Sequence, residues 1–182
     1  MEIIKTPISD LVIVKPRVFA DARGYFYETY NEKSYLEAGI DLHFCQDNQS
    51  KSSYGVIRGL HYQLNPQSQS KLVSVVKGSV WDVAVDLRTS SPTFGQWFGV
   101  ELSEDNHLQF LIPQGFAHGF SVLTETAVFS YKCDNFYSPT LERGIMYNDP
   151  ALAIDWRIPA DKAIISDKDL KHRLFADADK NF

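Results

Sequence analysis

Between Ser79 and Leu87 two sets of side chains alternate with a period of two. Trp81, Val83, Val85 and Leu87 fall on one side; Val80, Asp82, Ala84 and Asp86 fall on the other. That is the period of an extended strand, and it excludes a helix here. The pattern recurs where Phe98, Val100 and Leu102 alternate with Trp97, Gly99 and Glu101. It recurs again where Ala127, Phe129, Tyr131 and Cys133 alternate with Val128, Ser130 and Lys132. Turn signals separate the runs, among them Lys77-Gly78, Ser90-Ser91-Pro92, Ser103-Glu104-Asp105-Asn106, Pro113-Gln114-Gly115 and Ser138-Pro139. Short strands at this spacing predict a β-sandwich or barrel, and an aromatic content of 13% agrees. We expect one all-β jelly-roll domain over residues 1–182, with short peripheral helices. Asn31 predicts the cap of a short helix from Glu32 to Ala38, stopped by Gly39. Ser166-Asp167-Lys168-Asp169 reads as a capping box before a helix from Leu170 to Ala178, with Leu170 and Leu174 on one face. A large flat sheet face favours a homodimer.

The net charge of −5 argues against nucleic acid or an anionic membrane as the partner. It leaves room for a small phosphorylated ligand, which needs only a few local cations. Cys45 and Cys133 make neither a disulfide framework nor a zinc motif, so reduced thiols and a cytoplasmic protein are expected. The stretch Met1 to Pro7 has no basic region followed by a long apolar run. No secretion signal or membrane helix is expected.

Four clusters carry polar residues that a plain strand does not need. They are Asp21 to Glu28; Gln46 to Ser50 followed by Gly55 to Gln63; Lys71 at the head of the apolar run Leu72 to Val76; and Ile112 to Phe120. The second and fourth resemble the two motifs of cupin barrels. Gly55 and His61 fit the opening of the first motif, but Gln63 replaces its second histidine and Lys71 its glutamate. Pro113, Gly115 and His118 fit the second motif, but Val122 stands where asparagine is usual. A metal needs several N, O or S donors, and an ammonium group is not one. We expect no functional metal. A fixed ammonium can instead stabilise a developing oxyanion, as a metal would. A barrel interior holding His61, Lys71, His118 and Tyr131 suits proton transfer next to a carbonyl. His61 is then the base, Lys71 holds the enolate oxygen and Tyr131 returns a proton from the other face.

Each of these residues also has a purely structural reading. His61 can be a buried histidine bonded to backbone, and His118 can stabilise its turn. Lys71 can protect an edge strand, and Tyr131 can be core. Arg23 and Arg58 can be surface charges paired with carboxylates such as Asp21. Asp169 can simply close the capping box, or it can orient the His61 imidazole. Spacing alone leaves both roles of Asp169 open.

The motifs Gln46-Asp47-Asn48-x-Ser50, Val56-x-Arg58-Gly59-Leu60-His61-Tyr62-Gln63 and Lys71-Leu72-Val73 strongly resemble the dTDP-4-dehydrorhamnose 3,5-epimerases. So do Asp21-x-Arg23-Gly24-x-Phe26-x-Glu28, Asp82 to Arg88, Ser91 to Gly95, Ile112 to Phe120, Tyr137-Ser138-Pro139, Asn148-Asp149-Pro150 and Ser166-x-Lys168-Asp169. The resemblance implies a cupin-like homodimer without metal or redox cofactor, acting on dTDP-4-dehydro-6-deoxy-D-glucose. It implies His61 as base paired with Asp169, Tyr131 as acid, and Lys71 on the ketone oxygen. It places Arg23 and Arg58 on the diphosphate; Glu28, Gln46, Asp47 and Asn48 on the nucleotide; and Tyr137 on thymine. Phe26, Gln63, His118, Glu142 and Lys168 match further ligand-contacting positions. Two departures, at Arg157 and in the Leu170 to Leu174 segment, stand where this family commonly carries proline. The alternatives are a single-site 3- or 5-epimerase, a related 3,4-ketoisomerase, a binding-only sugar-nucleotide cupin and a metal-dependent oxygenase.

Overall fold

The alternating runs become strands close to the expected bounds. The computed structural model describes residues 1–182. In chain order the strands are β1 (Glu2–Lys5), β2 (Val12–Lys15), β3 (Phe19–Asp21), β4 (Gly24–Phe26), β5 (Gln46–Ser53), β6 (Ile57–Gln63) and β7 (Lys71–Lys77). Then follow β8 (Ser79–Asp86), β9 (Trp97–Ser103), β10 (Gln109–Ile112), β11 (Phe116–Val122), β12 (Thr126–Cys133) and β13 (Glu142–Gly144). They form a six-stranded sheet in the order β1-β2-β10-β7-β12-β5, a five-stranded sheet in the order β13-β6-β11-β8-β9, and a separate β3-β4 hairpin. Neighbouring strands pair antiparallel throughout. The architecture is the expected jelly roll, and it is cupin-like.

Every residue of β8 is buried. Its period-two pattern therefore separates two buried layers, not core from solvent. Val80 and Ala84 face the space between the sheets, with Val73, Phe110, Phe120 and Phe129. Burying a ring such as Phe129 contributes about 1.5–3 kcal/mol. Trp81, Val83 and Val85 face the other way, against Leu152, Trp156 and Ala178 of the C-terminal segment. That apolar patch pins the C-terminal segment to the outside of the five-stranded sheet. Alternation puts Asp82 on the inner face, which matters for the site.

The first helix, α1 (Glu32–Glu37), forms as expected, and the Asn31 side chain accepts from the Ser34 N–H at 3.2 Å. The second helix does not form. Leu170 to Ala178 contains two single 3₁₀ turns, Asp169–Lys171 and Phe175–Asp177. Half of the capping box is present, since Ser166 Oγ accepts from the Asp169 N–H at 3.1 Å. The other half fails because the Asp169 carboxylate is engaged elsewhere. Leu170 and Leu174 are both exposed, so the predicted apolar face has nothing to pack on. The Phe175 N–H is taken by Asp149 Oδ2 at 2.7 Å, which breaks any helical ladder. The edge-strand reading of Lys71 also fails, because β7 is hydrogen-bonded to β10 on one side and β12 on the other. No helix is long and apolar enough to cross a membrane.

Candidate functional site

At one end of the space between the sheets the core turns polar. β6 supplies His61 and Gln63, β7 supplies Lys71, and β12 supplies Tyr131. Tyr131 follows Phe129 on the inward face, as the alternation predicts. With Tyr137 and Glu142 these residues line a cavity of about 90 Å³. A second cavity of about 370 Å³ adjoins it at His61 and is lined by Arg58, Ser166, Lys168 and Asp169.

The position of His61 is set by a kink in β6. Gly59 has φ of +115°, and a Cβ there would lie 2.6 Å from the His118 carbonyl oxygen. Only glycine tolerates both conditions. The register of β6 against β11 slips at the same place. The Gly59 N–H donates to Asp169 Oδ2 at 3.2 Å, and Asp169 Oδ1 lies 2.8 Å from His61 Nε2. Asp169 thus bridges the kink and the imidazole from a segment more than a hundred residues downstream. Its side chain is 5% exposed, against 31% for His61. Burial pushes the Asp169 carboxyl up, but the hydrogen bond and charge of His61 and the Gly59 N–H outweigh it and hold the pKa at about 2. A carboxylate on Nε2 fixes the neutral imidazole with its proton there. Nδ1 is left as the proton acceptor.

Lys71 is partly buried at the wall of the cavity, and burial lowers its pKa, opposed by Cys133, Asp82 and Glu142. Its Nζ lies 5.9 Å from the centroid of the Tyr131 ring. Burial raises the Tyr131 phenol pKa, aided by Cys133 and opposed by Arg58, so the group is a protonated donor at neutral pH. Behind Lys71 both oxygens of Asp82 lie 3.0 Å from His118 Nε2. His118 is therefore neither a turn residue nor a cavity wall. It sits buried on β11 as the partner of a buried carboxylate. Where a metal-binding cupin would gather its ligands, this chain has an ammonium, an amide and a histidine already bound to Asp82. That set does not fit a cation.

The other sequence-predicted residues divide into two groups. Gln63 is a strut, since its Oε1 accepts from the Ser138 N–H at 2.7 Å and its Nε2 donates to the Gln67 carbonyl at 2.6 Å. Gln46 Oε1 accepts from the Tyr137 N–H at 3.1 Å and its amide donates to Asn48 at 3.0 Å. Tyr137 Oη and Lys168 Nζ both donate to Glu142, at 2.8 and 2.5 Å. These contacts, more than burial, hold the Glu142 pKa down and raise that of Lys168. Arg58 donates only through Nε, to Ser52 Oγ at 3.0 Å, and leaves the fork of its guanidinium free. The surface-pair reading thus fails for Arg58.

The second group is not brought to this site within one chain. Arg23 pairs with Asp21 at 2.6 Å with its side chain 90% exposed, as the structural reading had it. Arg23 and Phe26 lie on the exposed β3-β4 hairpin, and Phe26 and Glu28 line a different cavity of about 690 Å³ next to α1. Asp47 points to the opposite face of β5 from Gln46 and Asn48 and pairs with Lys132 at 2.9 Å. Sequence reasoning passed over two residues here. Asp82 had a signal, an acid in an apolar strand. His172, packed edge-on to His61 with ring centroids 5.4 Å apart, had none.

Comparison with known proteins points to a single family. The dTDP-4-dehydrorhamnose 3,5-epimerase of Shigella flexneri is 54% identical over 180 residues, covering 98% of each chain. A crystal structure of dTDP-4-dehydrorhamnose 3,5-epimerase from Elizabethkingia anophelis superposes with a TM-score of 0.93 at 58% identity, covering 97% of each chain. The dTDP-6-deoxy-D-glucose-3,5-epimerase of Legionella pneumophila, solved with dTDP-4-keto-L-rhamnose, gives 0.94 at 52% identity, covering 98% of this chain and 94% of that one. The family profile described as dTDP-4-dehydrorhamnose 3,5-epimerase matches residues 5–177, and the chain belongs to that family.

Proposed function

We propose that the protein epimerises dTDP-4-dehydro-6-deoxy-D-glucose at C3 and C5 to give dTDP-4-dehydro-L-rhamnose, a step toward dTDP-L-rhamnose. The observation that carries this reading is the His61–Asp169 pair opening on the same cavity as Lys71 and Tyr131. Both C3 and C5 neighbour the C4 ketone, so a single enolate-stabilising group serves both inversions. His61 Nδ1 takes the carbon-bound proton, and the electron pair moves onto the C4 oxygen, where the Lys71 ammonium donates to it. Tyr131 returns a proton to the opposite face, which inverts the carbon. Before the second inversion His61 must lose its proton and Tyr131 must regain one.

The free fork of Arg58, with Lys168 beside it, suits the diphosphate. The half-exposed Tyr137 ring offers a face to thymine. The protein acts as a homodimer. Support comes from the hairpin, whose Phe19, Tyr25 and Phe26 stand exposed beside Arg23 while one chain's own cavity lacks those residues. In the dimer the hairpin of one protomer closes the site of its partner with Arg23, Phe26 and Glu28. The free thiols Cys45 and Cys133 and the net acidic chain support a cytoplasmic enzyme without nucleic-acid or membrane partners.

Incubation of substrate with enzyme in deuterated water, followed by NMR, is expected to show label at both C3 and C5. Label at one carbon alone would mean a single-site epimerase, and no label would mean a binding protein. Asp169→Asn is expected to slow exchange by about 10²–10⁴-fold, because the imidazole loses its tautomer control. The melting temperature should fall only modestly, because the amide keeps an acceptor for the Gly59 N–H while losing the charge that His61 and Gly59 stabilise. A large fall in melting temperature with near-normal exchange would return Asp169 to a purely structural role.

A further inference from the structure

His172 is a largely enclosed imidazole, 11% exposed, with no side-chain hydrogen bond. Its Nδ1 is enclosed without a partner, and its Nε2 lies 3.9 Å from Asp169 Oδ1, beyond hydrogen-bond range. The fold nonetheless makes room for the ring. It lies flat over Gly144 of β13, where a Cβ would stand 2.2 Å from ring carbon Cε1, and Gly144 pairs in register with His61. An enclosed ring nitrogen without a partner calls for an explanation. Nothing in the proton-transfer scheme uses it.

We propose that His61, Asp169 and His172 form a binding site for a borderline divalent cation such as Zn²⁺, and that its occupation switches the enzyme off. The donor atoms of the three residues lie within 4.8 Å of one another. Zinc bonds of about 2.1 Å in a tetrahedron put donors about 3.4 Å apart. The existing separations of 2.8 Å and 3.9 Å from Asp169 Oδ1 bracket that value, and the two imidazoles, whose donors are no more than 4.8 Å apart, need close by at most about 1.4 Å. Two imidazoles and one carboxylate suit Zn²⁺, Co²⁺ or Ni²⁺ but not Mg²⁺ or Ca²⁺, which want oxygen. The partly open side at His61 leaves a fourth position for water. Lys168, whose charge acts on His172, is already paired with Glu142. This set shares only His61 with the cupin ligand positions, where Gln63 and Lys71 replace the other donors of the first motif.

Switching off follows from proton placement. A cation on His61 Nε2 displaces the proton that Nε2 donates to Asp169. The neutral ring then carries its proton on Nδ1, the nitrogen that must accept one from substrate. No proton is gained or lost by the ring, but the base is capped. The binding site rests on geometry alone; the inhibition rests on His61 being the base.

The test titrates the full-length protein with ZnCl₂ by calorimetry and, separately, follows deuterium exchange into substrate with zinc present. One Zn²⁺ per chain is expected, with no binding of Mg²⁺, and exchange should stop with zinc and return with a chelator. His172→Gln should weaken zinc binding by at least about tenfold, since even an outer-shell partner of a metal site is worth that much. His172→Phe, which keeps a flat ring over Gly144 but offers no donor, guards against a folding artefact. Both variants should lose zinc sensitivity in whatever exchange they retain. Absent stoichiometric binding, or wild-type zinc affinity in both variants, would overturn the site. Stoichiometric binding that depends on His172 but leaves exchange untouched would overturn the switch and, with it, His61 as base.

Discussion

Replacing His61 with glutamine is expected to stop hydrogen exchange at C3 and C5 together while dTDP still binds. The glutamine amide nitrogen falls close to the position of Nε2 and can donate to Asp169, so the buried carboxylate keeps a partner and the kink at Gly59 has no cause to relax. What disappears is the only imidazole lining that cavity. A positioned base contributes about 10²–10⁴-fold, and the slower exchange should reflect at least that loss at each carbon. The decisive feature is the coupling. With one base, the two rates fall by similar factors; with separate bases, one carbon would go on exchanging. Exchange surviving at either carbon, or dTDP affinity falling in parallel with activity, would remove His61 from its assigned role.

How far the sequence went depended on whether a residue's role was local. Tyr131 was legible because strand alternation fixes which way a side chain points once Phe129 is known to be core. Lys71 was legible because a lysine heading an apolar run needs a reason, and only the strand order showed that edge protection was not the reason. Asp169 was ambiguous because a capping box and a long-range partnership call for the same residue. The structure splits the two, with the backbone N–H on Ser166 and the carboxylate on His61. The helix from Leu170 was misread because spacing of leucines says nothing about whether a surface exists to receive them. Asp82 and His118 meet 36 residues apart across two strands, and His172 meets Asp169 only because Gly144 clears a space. Such roles belong to packing and leave no periodic trace. Arg23, Phe26 and Glu28 show another limit, since their motif is clear while the single chain gives them no shared pocket with His61.

Lys71→Met should produce the second large effect, and with opposite signs for activity and stability. Loss of an oxyanion donor removes about 3–4 kcal/mol of transition-state stabilisation, or about 10²–10³-fold in rate. Methionine fills a similar volume on the inner face of β7. The ammonium it replaces is partly buried and has no ion-pair partner, with Asp82 and Glu142 acting on it only at a distance. Exchanging such a charge for an apolar chain is often neutral or stabilising, so the melting temperature should hold or rise. The pH dependence separates this from a general loss of fit. Burial lowers the Lys71 pKa, so the native state releases that proton at a lower pH than the unfolded chain does. Between the lowered value and the ordinary 10.5 the unfolded state binds more protons, and stability therefore gains from this group as pH rises. Activity needs the ammonium and falls through the same window. In the wild type the alkaline limb of exchange should accordingly begin below the usual lysine range, while the contribution of Lys71 to stability improves. Lys71→Met should lack both trends, and Lys71→Arg, whose charge is permanent, should keep neither the alkaline loss nor the gain. An alkaline limb unchanged in Lys71→Arg, or a rate within about fivefold of wild type in Lys71→Met, would show that the enolate oxygen is held by something else.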